Sequence, residues 1–305
     1  MLLAGGSGLI GRAISTALLA AGHQPVVLTR KTHPPNEAQA GVRIVTWNPP
    51  AGGAWESELI AAGAVINLAG ASVGRWPWTA GRKAALLDSR LTPTRTLIDA
   101  IGRLPTASRP TVFVSASGTD FYVGSDAAPA TEETPPADTF LSRLCVRWES
   151  EALRGERLGV RIVLMRTSSV IAPGAPVLQV LAFPFRLFLG GPIGSGQQWV
   201  SWVDLTDAVG LYLWALESGE IHGPLNVAAP DPRQQVDFAR ALGAAIGRPS
   251  WCSTPSWGVR LVLGEQATLA LGSRRVWPAK ALDHGYMFRR PRLEASLNHA
   301  LGRGE

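Results

Sequence analysis

Hydrophobic and polar positions alternate in blocks through the first half of the chain. An apolar stub, Met1-Leu2-Leu3, runs into a glycine-rich turn; residues 9–21 then carry apolar positions at helical spacing, and Gly22 suits the stop. Short β-rich runs follow at 24–29 (QPVVLT), 42–47 (VRIVTW), 64–68 (AVINL), 111–115 (TVFVS) and 160–166 (VRIVLMR). Helical stretches separate them, notably at 80–103 and 140–158. Near-continuous apolar strands spaced by helices predict an α/β fold with a parallel sheet covered on both faces. After Ser168 the rhythm fails. Pro173, Pro176, Pro184 and Pro192, with Gly190, Gly191, Gly194 and Gly196, predict irregular structure typical of a substrate-binding lobe. Helices are expected again at 205–218 and 235–246. No internal repeat or low-complexity linker is present, so the lobes are expected to pack closely.

Composition narrows the class. Of 305 residues, 46% are apolar and 17% charged, the profile of a globular protein with a real core. No apolar run reaches the roughly 18 to 20 residues of a membrane span. The first apolar stretch is broken at once by glycines, so no signal peptide is expected. Cys145 and Cys252 lie far apart without metal-like spacing, which implies a reducing, cytoplasmic setting and no disulfide framework. The net charge is +6, yet only Lys31, Lys83 and Lys280 are lysines, so arginine supplies the positive charge. A nucleic-acid surface would need a clustered basic stripe with interleaved aromatics, and none is present. Scattered solvated arginines or a small anionic ligand fit better; a homodimer is left open.

The glycine turn carries the clearest chemistry. Gly5, Gly8 and Gly11 fit G-x-x-G-x-x-G between a buried strand and an amphipathic helix, the context a dinucleotide fingerprint requires. The first glycine permits a tight turn, the second lets a pyrophosphate approach, and the third allows close helix–strand packing. Ser7, Leu9 and Ile10 complete the turn, where free N–H groups and the helix dipole favour an anion. The second strand ends Leu28-Thr29-Arg30-Lys31, with no acid placed to bind the ribose hydroxyls of NAD. Arg30 instead suits a 2′-phosphate, which points to NADP. Asn67-Leu68-Ala69-Gly70 closes the fourth strand with small residues that let the cofactor approach.

The segments GGSGLIG, LTR and INLAG resemble the extended short-chain dehydrogenase/reductases. More narrowly, the chain resembles their atypical "epimerase family protein" group, also labelled SulA homologue or cell-division inhibitor. Ser89-Arg90, SASGTDFY (115–122), LCVRWE (144–149), LMRTSSVIAP (164–173), PFRLFLGGPIGSGQQWVSWVDLTD (184–207), GPLNVAAP (223–230) and RRVWPAKALDHGYMF (274–288) carry that resemblance nearly end to end. It implies a Rossmann doubly wound parallel sheet that binds NADP, with a small C-terminal substrate lobe. The expected division is a cofactor domain at 1–170, completed by parts of 195–230, and a mixed region at 171–305. By similarity Thr29, Arg30, Leu68, Ala69 and Arg90 fall at cofactor-contacting positions. One departure is that barely four residues precede Gly5, which implies a truncated start.

The usual catalytic machinery of that superfamily is missing. A Tyr-x-x-x-Lys pair would place a phenol beside a lysine that depresses its pKa. Four residues beyond Tyr122, Tyr212 and Tyr286 stand Asp126, Leu216 and Arg290; Leu141 and Cys145 occupy the helix positions where the pair belongs. What remains is Ser117, matching the fifth-strand serine, and Tyr122 on the same loop with Asp120 between them. These two are the candidate catalytic residues, weighed against plain loop packing. Cys145 is expected to be a core thiol, and Arg143 and Arg147 to be solvated. His23, His33, His222, His284 and His299 form no triad or metal spacing. Trp76, Trp78, Trp199 and Trp202 are candidates for lining an apolar pocket. Two classes stay open: an NADP-dependent oxidoreductase or epimerase acting on a carbonyl or hydroxyl carbon of a small molecule, for instance a nucleotide sugar, and a cofactor-binding sensor or partner-regulating protein without turnover.

Overall fold

The apolar runs become seven parallel strands because each carries buried side chains on both faces, which a sheet flanked by helices on either side accommodates. The computed structural model describes residues 1–30, 40–122 and 128–303; Lys31, His33 and Asp126 lie outside the described residues. The first half runs β1 (Leu2–Ala4), α1 (Leu9–Ala20), β2 (Val26–Thr29), β3 (Arg43–Thr46), α2 (Trp55–Ile60), β4 (Ala64–Asn67), α3 (Ala80–Arg103), β5 (Val112–Gly118), α4 (Phe140–Leu153) and β6 (Arg161–Thr167). It continues with β7 (Ser169–Ile171), α5 (Pro176–Arg186), β8 (Trp199–Val200), β9 (Trp202–Asp204), α6 (Leu205–Glu217) and β10 (Gly223–Val227). The C-terminal part holds β11 (Arg233–Gln234), α7 (Gln235–Ile246), α8 (Ser256–Leu263), α9 (Thr268–Leu271), α10 (Ala279–Asp283) and α11 (Leu293–Ala300).

The main sheet has the order β10-β6-β5-β4-β1-β2-β3, and every neighbouring pair is parallel. Alternate strand residues feed two cores. Leu3, Val27, Ile66, Val114 and Met165 pack with Ile14 and Leu18 of α1 and with Leu211 and Tyr212 of α6. Leu2, Leu28, Val65, Phe113 and Leu164 pack on the other face with Leu59, Leu97, Ile101 and Ala152. Burying one such side chain fully contributes roughly 1.5–3 kcal/mol. A third core joins α5, α7 and α11 through Leu178, Phe185, Phe238, Leu242, Leu293 and Leu297.

Several expectations shift in detail. The helix expected at 140–158 ends at Leu153, and Arg154–Leu158 tighten into a 3-10 turn that stops at left-handed Gly159 (φ +78). The region after Ser168 is less irregular than its prolines imply. Pro176 occupies the start of α5, where its missing N–H costs nothing, and Pro184 falls only two residues before the helix ends. Trp202 is fully buried and donates to Asp231 O at 2.7 Å, so it belongs to the core and lines no pocket. Trp76 is 59% exposed, and Trp78 and Trp199 are half-buried.

The strand order reverses between β1 and β4, and Leu68 N–H bonds Ala4 O there at 2.8 Å. Such a reversal opens a crevice at the carboxyl ends of the strands, where open α/β sheets take their ligands.

Candidate functional site

The glycine turn leaves β1 at that crevice, and its three glycines differ in what holds them. Gly5 has φ +75, and a Cβ there would come within 2.7 Å of Leu68 C. At Gly11 a Cβ would meet Gly6 Cα at 2.5 Å. Backbone packing fixes both. Gly8 is exposed, and a Cβ there would meet nothing nearer than Gly5 O at 3.7 Å. It caps α1 without a side-chain hydrogen bond, and the first turn of that helix contains no acid. The first helical bond is Arg12 N–H to Gly8 O, 2.9 Å, so the N–H groups of Leu9, Ile10 and Gly11 precede it and suit an anion. Ser7 beside them is exposed.

A cleft of about 420 Å³ lies alongside, lined by Arg30, Ala71, Ser72, Arg75, Arg82, Ala85, Asp88 and Ser89. Thr29, at the end of β2, is buried, and Arg30 emerges next to it. Arg82 donates from Nη2 to Ser72 O at 2.5 Å, while its buried Nε has no hydrogen-bond partner. Among the described residues none of Arg30, Arg75 and Arg82 belongs to an ion pair. Asp88, the one acid of this lining, accepts from Thr92 Oγ1 at 2.7 Å. Three cations against one acid leave the cleft positive.

Arg75 and Arg82 escaped the sequence reading, although one signal was there. Arg82 and Lys83 stand in the first turn of α3 behind the Thr79 cap, where the helix dipole disfavours cations. Lys83 is matched by Glu265, whereas Arg82 has no carboxylate among the described residues and suits an incoming anion.

The end of β4 supplies the opposite wall. Leu68 and Ala69 are half-buried and Gly70 is exposed. Asn67 accepts from Ala69 N at 3.2 Å and donates to Thr94 Oγ1 at 2.7 Å, tying this corner to α3. A Cβ on Gly70 would approach Arg90 Cζ to 3.2 Å, so a larger residue there would press on that guanidinium. Arg90 donates to Leu86 O at 3.0 Å and lies 5.2 Å from the Trp148 ring centroid. Burial pushes its pKa down and nearby Arg82 adds to this, against the pull of Cys145 and Asp120. An uncapped helix N-terminus, a small-residue strand end and an acid-poor arginine cleft together fit a phosphorylated dinucleotide.

A second polar cluster lies beyond β4, in the interior. Ser117, Arg166 and Asn226 stand side by side in one register row across β5, β6 and β10. Glu149 of α4 receives Arg166 Nε at 2.9 Å and Nη2 at 2.8 Å, and Ser117 Oγ donates to the same carboxylate at 2.6 Å. Arg166 Nη1 donates to the Tyr122 hydroxyl at 2.8 Å, and that hydroxyl donates to Asn226 Oδ1 at 2.7 Å. Asn226 N–H and Nδ2 bond Glu132 Oε1 (3.0 Å) and Trp277 O (2.9 Å). The Arg166 guanidinium also lies 3.5 Å from the Phe121 ring centroid.

The structure therefore brings Ser117 and Tyr122 into one network, with both hydroxyl protons already donated. Tyr122 is 1% exposed, and burial pushes its pKa up to about 12 despite Arg166. The Arg166 guanidinium, opposed by its own burial, is held above its ordinary value by Glu149. Leu141 and Cys145 are core residues, and burial pushes the Cys145 thiol up to about 12. Asp120, on the 3-10 turn Thr119–Phe121, remains 25% exposed and pairs with Arg274 at 2.7 Å. Arg143 and Arg147 are exposed, as expected. Among the described residues no group of three metal-binding side chains occurs. Sequence reasoning missed Glu149, Arg166 and Asn226. The available signal was a charge at a buried position of an otherwise apolar strand or helix face, which demands a partner.

Known proteins resemble the chain along nearly its whole length. The sequence pattern described as "NAD dependent epimerase/dehydratase family" matches residues 1–228, and a "Domain of unknown function (DUF1731)" matches residues 254–300. An epimerase family protein of Mycobacterium leprae is 35% identical over 304 residues, covering 99% of this chain and 95% of the relative. The mouse epimerase family protein SDR39U1 is 36% identical, covering 97% and 98%. The crystal structure of human SDR39U1 with NADPH superposes with a TM-score of 0.85 at 33% identity, covering 99% and 98% of the two chains. A nucleoside-diphosphate sugar epimerase of Corynebacterium glutamicum gives a TM-score of 0.78 at 27% identity, over 99% of this chain and 57% of the other.

Proposed function

Because the chain belongs to the NAD dependent epimerase/dehydratase family, we propose that it binds NADP(H) along the crevice from Gly5 to the arginine cleft, with Ser117 and Tyr122 as positioning residues. The observation that carries this reading is the uncompensated charge of Arg30, Arg75 and Arg82 beside the uncapped start of α1. A 2′-phosphate supplies the missing negative charge and acceptors for the free donors, including Arg82 Nε. Backbone N–H groups from Leu9 to Gly11 face the pyrophosphate, Leu68, Ala69 and Gly70 shape the wall, and Arg90 stands over Gly70. When bound, the cofactor supplies hydride chemistry at its nicotinamide ring. The NADPH in the human relative's structure supports the choice of cofactor. The reading places the chain in the atypical extended group of short-chain dehydrogenase/reductases, in the cytoplasm, with a cofactor domain at 1–170 completed by parts of 195–230 and a small C-terminal substrate lobe.

Turnover at a carbonyl or hydroxyl carbon, with nucleotide sugars as the substrate class that the Corynebacterium neighbour's name supports, needs a proton carrier other than the buried Tyr122. Asp120 is the partly exposed acid on the turn between Ser117 and Tyr122 and favours this second reading.

Titration with NADPH and NADH tests the cofactor choice. The wild type prefers NADPH, and Arg82→Ala weakens NADPH roughly tenfold to a hundredfold, the equivalent of losing a charged hydrogen bond of about 1.5–3 kcal/mol, with NADH unchanged. Equal affinity of the wild type for both cofactors would overturn the reading. With NADPH oxidation followed across carbonyl compounds, loss of rate in Asp120→Asn but not in Tyr122→Phe would establish turnover through Asp120.

A further inference from the structure

Most of the exposed large apolar side chains among the described residues belong to two neighbouring stretches, 177–189 and 251–262. Val180 is 72% exposed and Phe183 60%; Trp251, Trp257 and Leu261 are 72%, 70% and 79% exposed. The two stretches are physically joined. Trp251 N–H bonds Gly190 O at 3.1 Å, Trp251 Nε1 bonds Phe188 O at 2.9 Å, and Gly194 N–H bonds Thr254 O at 2.8 Å. α8 begins two residues further on and contributes no buried residue at all. An eight-residue helix that presents Trp257, Leu261 and Val262 to water, with no core side chain in return, is costly for a folded monomer in solution.

Backbone strain falls on the same face. Phe188 has φ +63, the positive-φ residue other than glycine among those described. A bulky aromatic residue is strongly disfavoured in that region, and here the conformation leaves the ring 52% exposed. Strain spent on exposing an aromatic ring marks a functional surface.

Charge identifies the occupant. Residues 176–203 and 248–264, which carry this face, contain no Asp or Glu. Their exposed arginines Arg186, Arg248 and Arg260 enter no ion pair among the described residues, and Arg248 stacks 4.5 Å from the Phe188 ring centroid. Pairing with a second copy through the same face would set these arginines against one another without acids to compensate. Tryptophan and phenylalanine flanked by arginine is the composition that sits at a lipid headgroup boundary, apolar side inward and guanidinium on phosphate.

We propose that this face, formed by α5, residues 187–189, Trp251 and α8, docks on an anionic phospholipid surface. The contact is peripheral: among the described residues no helix is long and apolar enough to cross a membrane. α8 leads directly into the turn where Gln266 Nε2 donates to Val73 O at 3.0 Å, so the docking face adjoins the loop that lines the arginine cleft. The inference rests on exposed residues and stands whether or not NADP(H) is the cofactor.

Co-sedimentation of the full chain with vesicles tests it. The protein binds phosphatidylcholine vesicles containing phosphatidylglycerol, binds pure phosphatidylcholine at least tenfold less (an order-of-magnitude expectation for a basic, apolar face), and is released by high salt. Phe183→Ser/Trp257→Ser/Leu261→Ser weakens vesicle binding on the order of tenfold or more while the melting curve is unchanged, because all three side chains are exposed. Arg186→Glu/Arg260→Glu removes the preference for phosphatidylglycerol. Absence of vesicle binding, or equal binding to both vesicle types, overturns the proposal. So does a dimer in sedimentation velocity that the triple serine variant dissolves, which would assign the face to a second copy.

Discussion

Two arginine-bearing regions of the molecule, one inside the sheet and one at the mouth of its crevice, are built on opposite principles. Around Arg166 four of the five N–H donors are used: Glu149 takes two, the Tyr122 hydroxyl and Glu132 O take those of Nη1, and the residue is 5% exposed. Around Arg30, Arg75 and Arg82 the charges have no carboxylate partner among the described residues, and the buried Arg82 Nε has no acceptor there. A buried ion that is paired in this way holds strands together. A cluster of cations left unsatisfied at the mouth of a crevice is arranged for something that arrives from outside. The polar residues with the most partners are therefore not the best candidates for chemistry.

The largest effect is expected from breaking the satisfied region. Arg166→Met leaves the Glu149 carboxylate buried with Ser117 as its side-chain donor, and stability to urea should fall by about 3–5 kcal/mol. Arg166→Met/Glu149→Leu, which removes both charges, should recover most of that loss. A cost below about 1 kcal/mol for the single change would mean that the pair behaves as a solvated surface bridge.

Gly8→Val attacks the other region and should separate binding from folding. The backbone there is extended (φ −77, ψ 176) and a Cβ would make only an ordinary contact with Gly5 O at 3.7 Å, so the melting temperature should hardly change. Dinucleotide affinity should fall a hundredfold or more, about 2.7 kcal/mol, because the side chain occupies the pyrophosphate's place. Gly11→Ala sharpens the contrast. A Cβ 2.5 Å from Gly6 Cα must shift backbone, so stability and binding should be lost together. Calorimetric binding retained by Gly8→Val would reduce the turn to a structural corner.

These contrasts also explain what was legible in the sequence. Period and punctuation exposed the strands from 24–29 to 160–166, the glycine turn and Arg30, because each is a local pattern. Arg82 was hidden inside a polar helix start whose meaning depends on Ser72 and Arg30, distant in sequence. Glu149, Arg166 and Asn226 meet only once β5, β6 and β10 are adjacent and in register, and periodicity carries no information on lateral order. Ser117 and Tyr122 were visible as a polar residue near the end of the fifth strand and another just beyond it. That their hydroxyls face Glu149 and Asn226 could be learned only from the fold. Proline misled at α5 because Pro176 initiates that helix instead of breaking it.

The smallest effect concerns pH and asks whether Tyr122 belongs to the satisfied region. Its folded pKa is raised to about 12 by burial, against about 10 for an unfolded tyrosine. The folded state thus holds this proton more tightly, and the unfolded state releases it first as pH rises. The associated stability is fully present below about pH 10 and is lost between roughly pH 10 and 12, on the order of 2–3 kcal/mol for this group. Buried Cys145, also pushed up to about 12, adds an alkaline loss of its own, so the two must be separated by substitution. Tyr122→Phe gives up the bonds to Asn226 and Arg166, so at neutral pH it should be less stable by about 1–3 kcal/mol. Its stability should nevertheless fall less steeply than the wild type's above pH 10, and the two curves should converge. Urea titrations at stepped pH between neutrality and pH 11 follow this directly. Parallel curves would mean that the phenol titrates as freely as an exposed one, and would return Tyr122 to the list of groups able to trade a proton with a substrate.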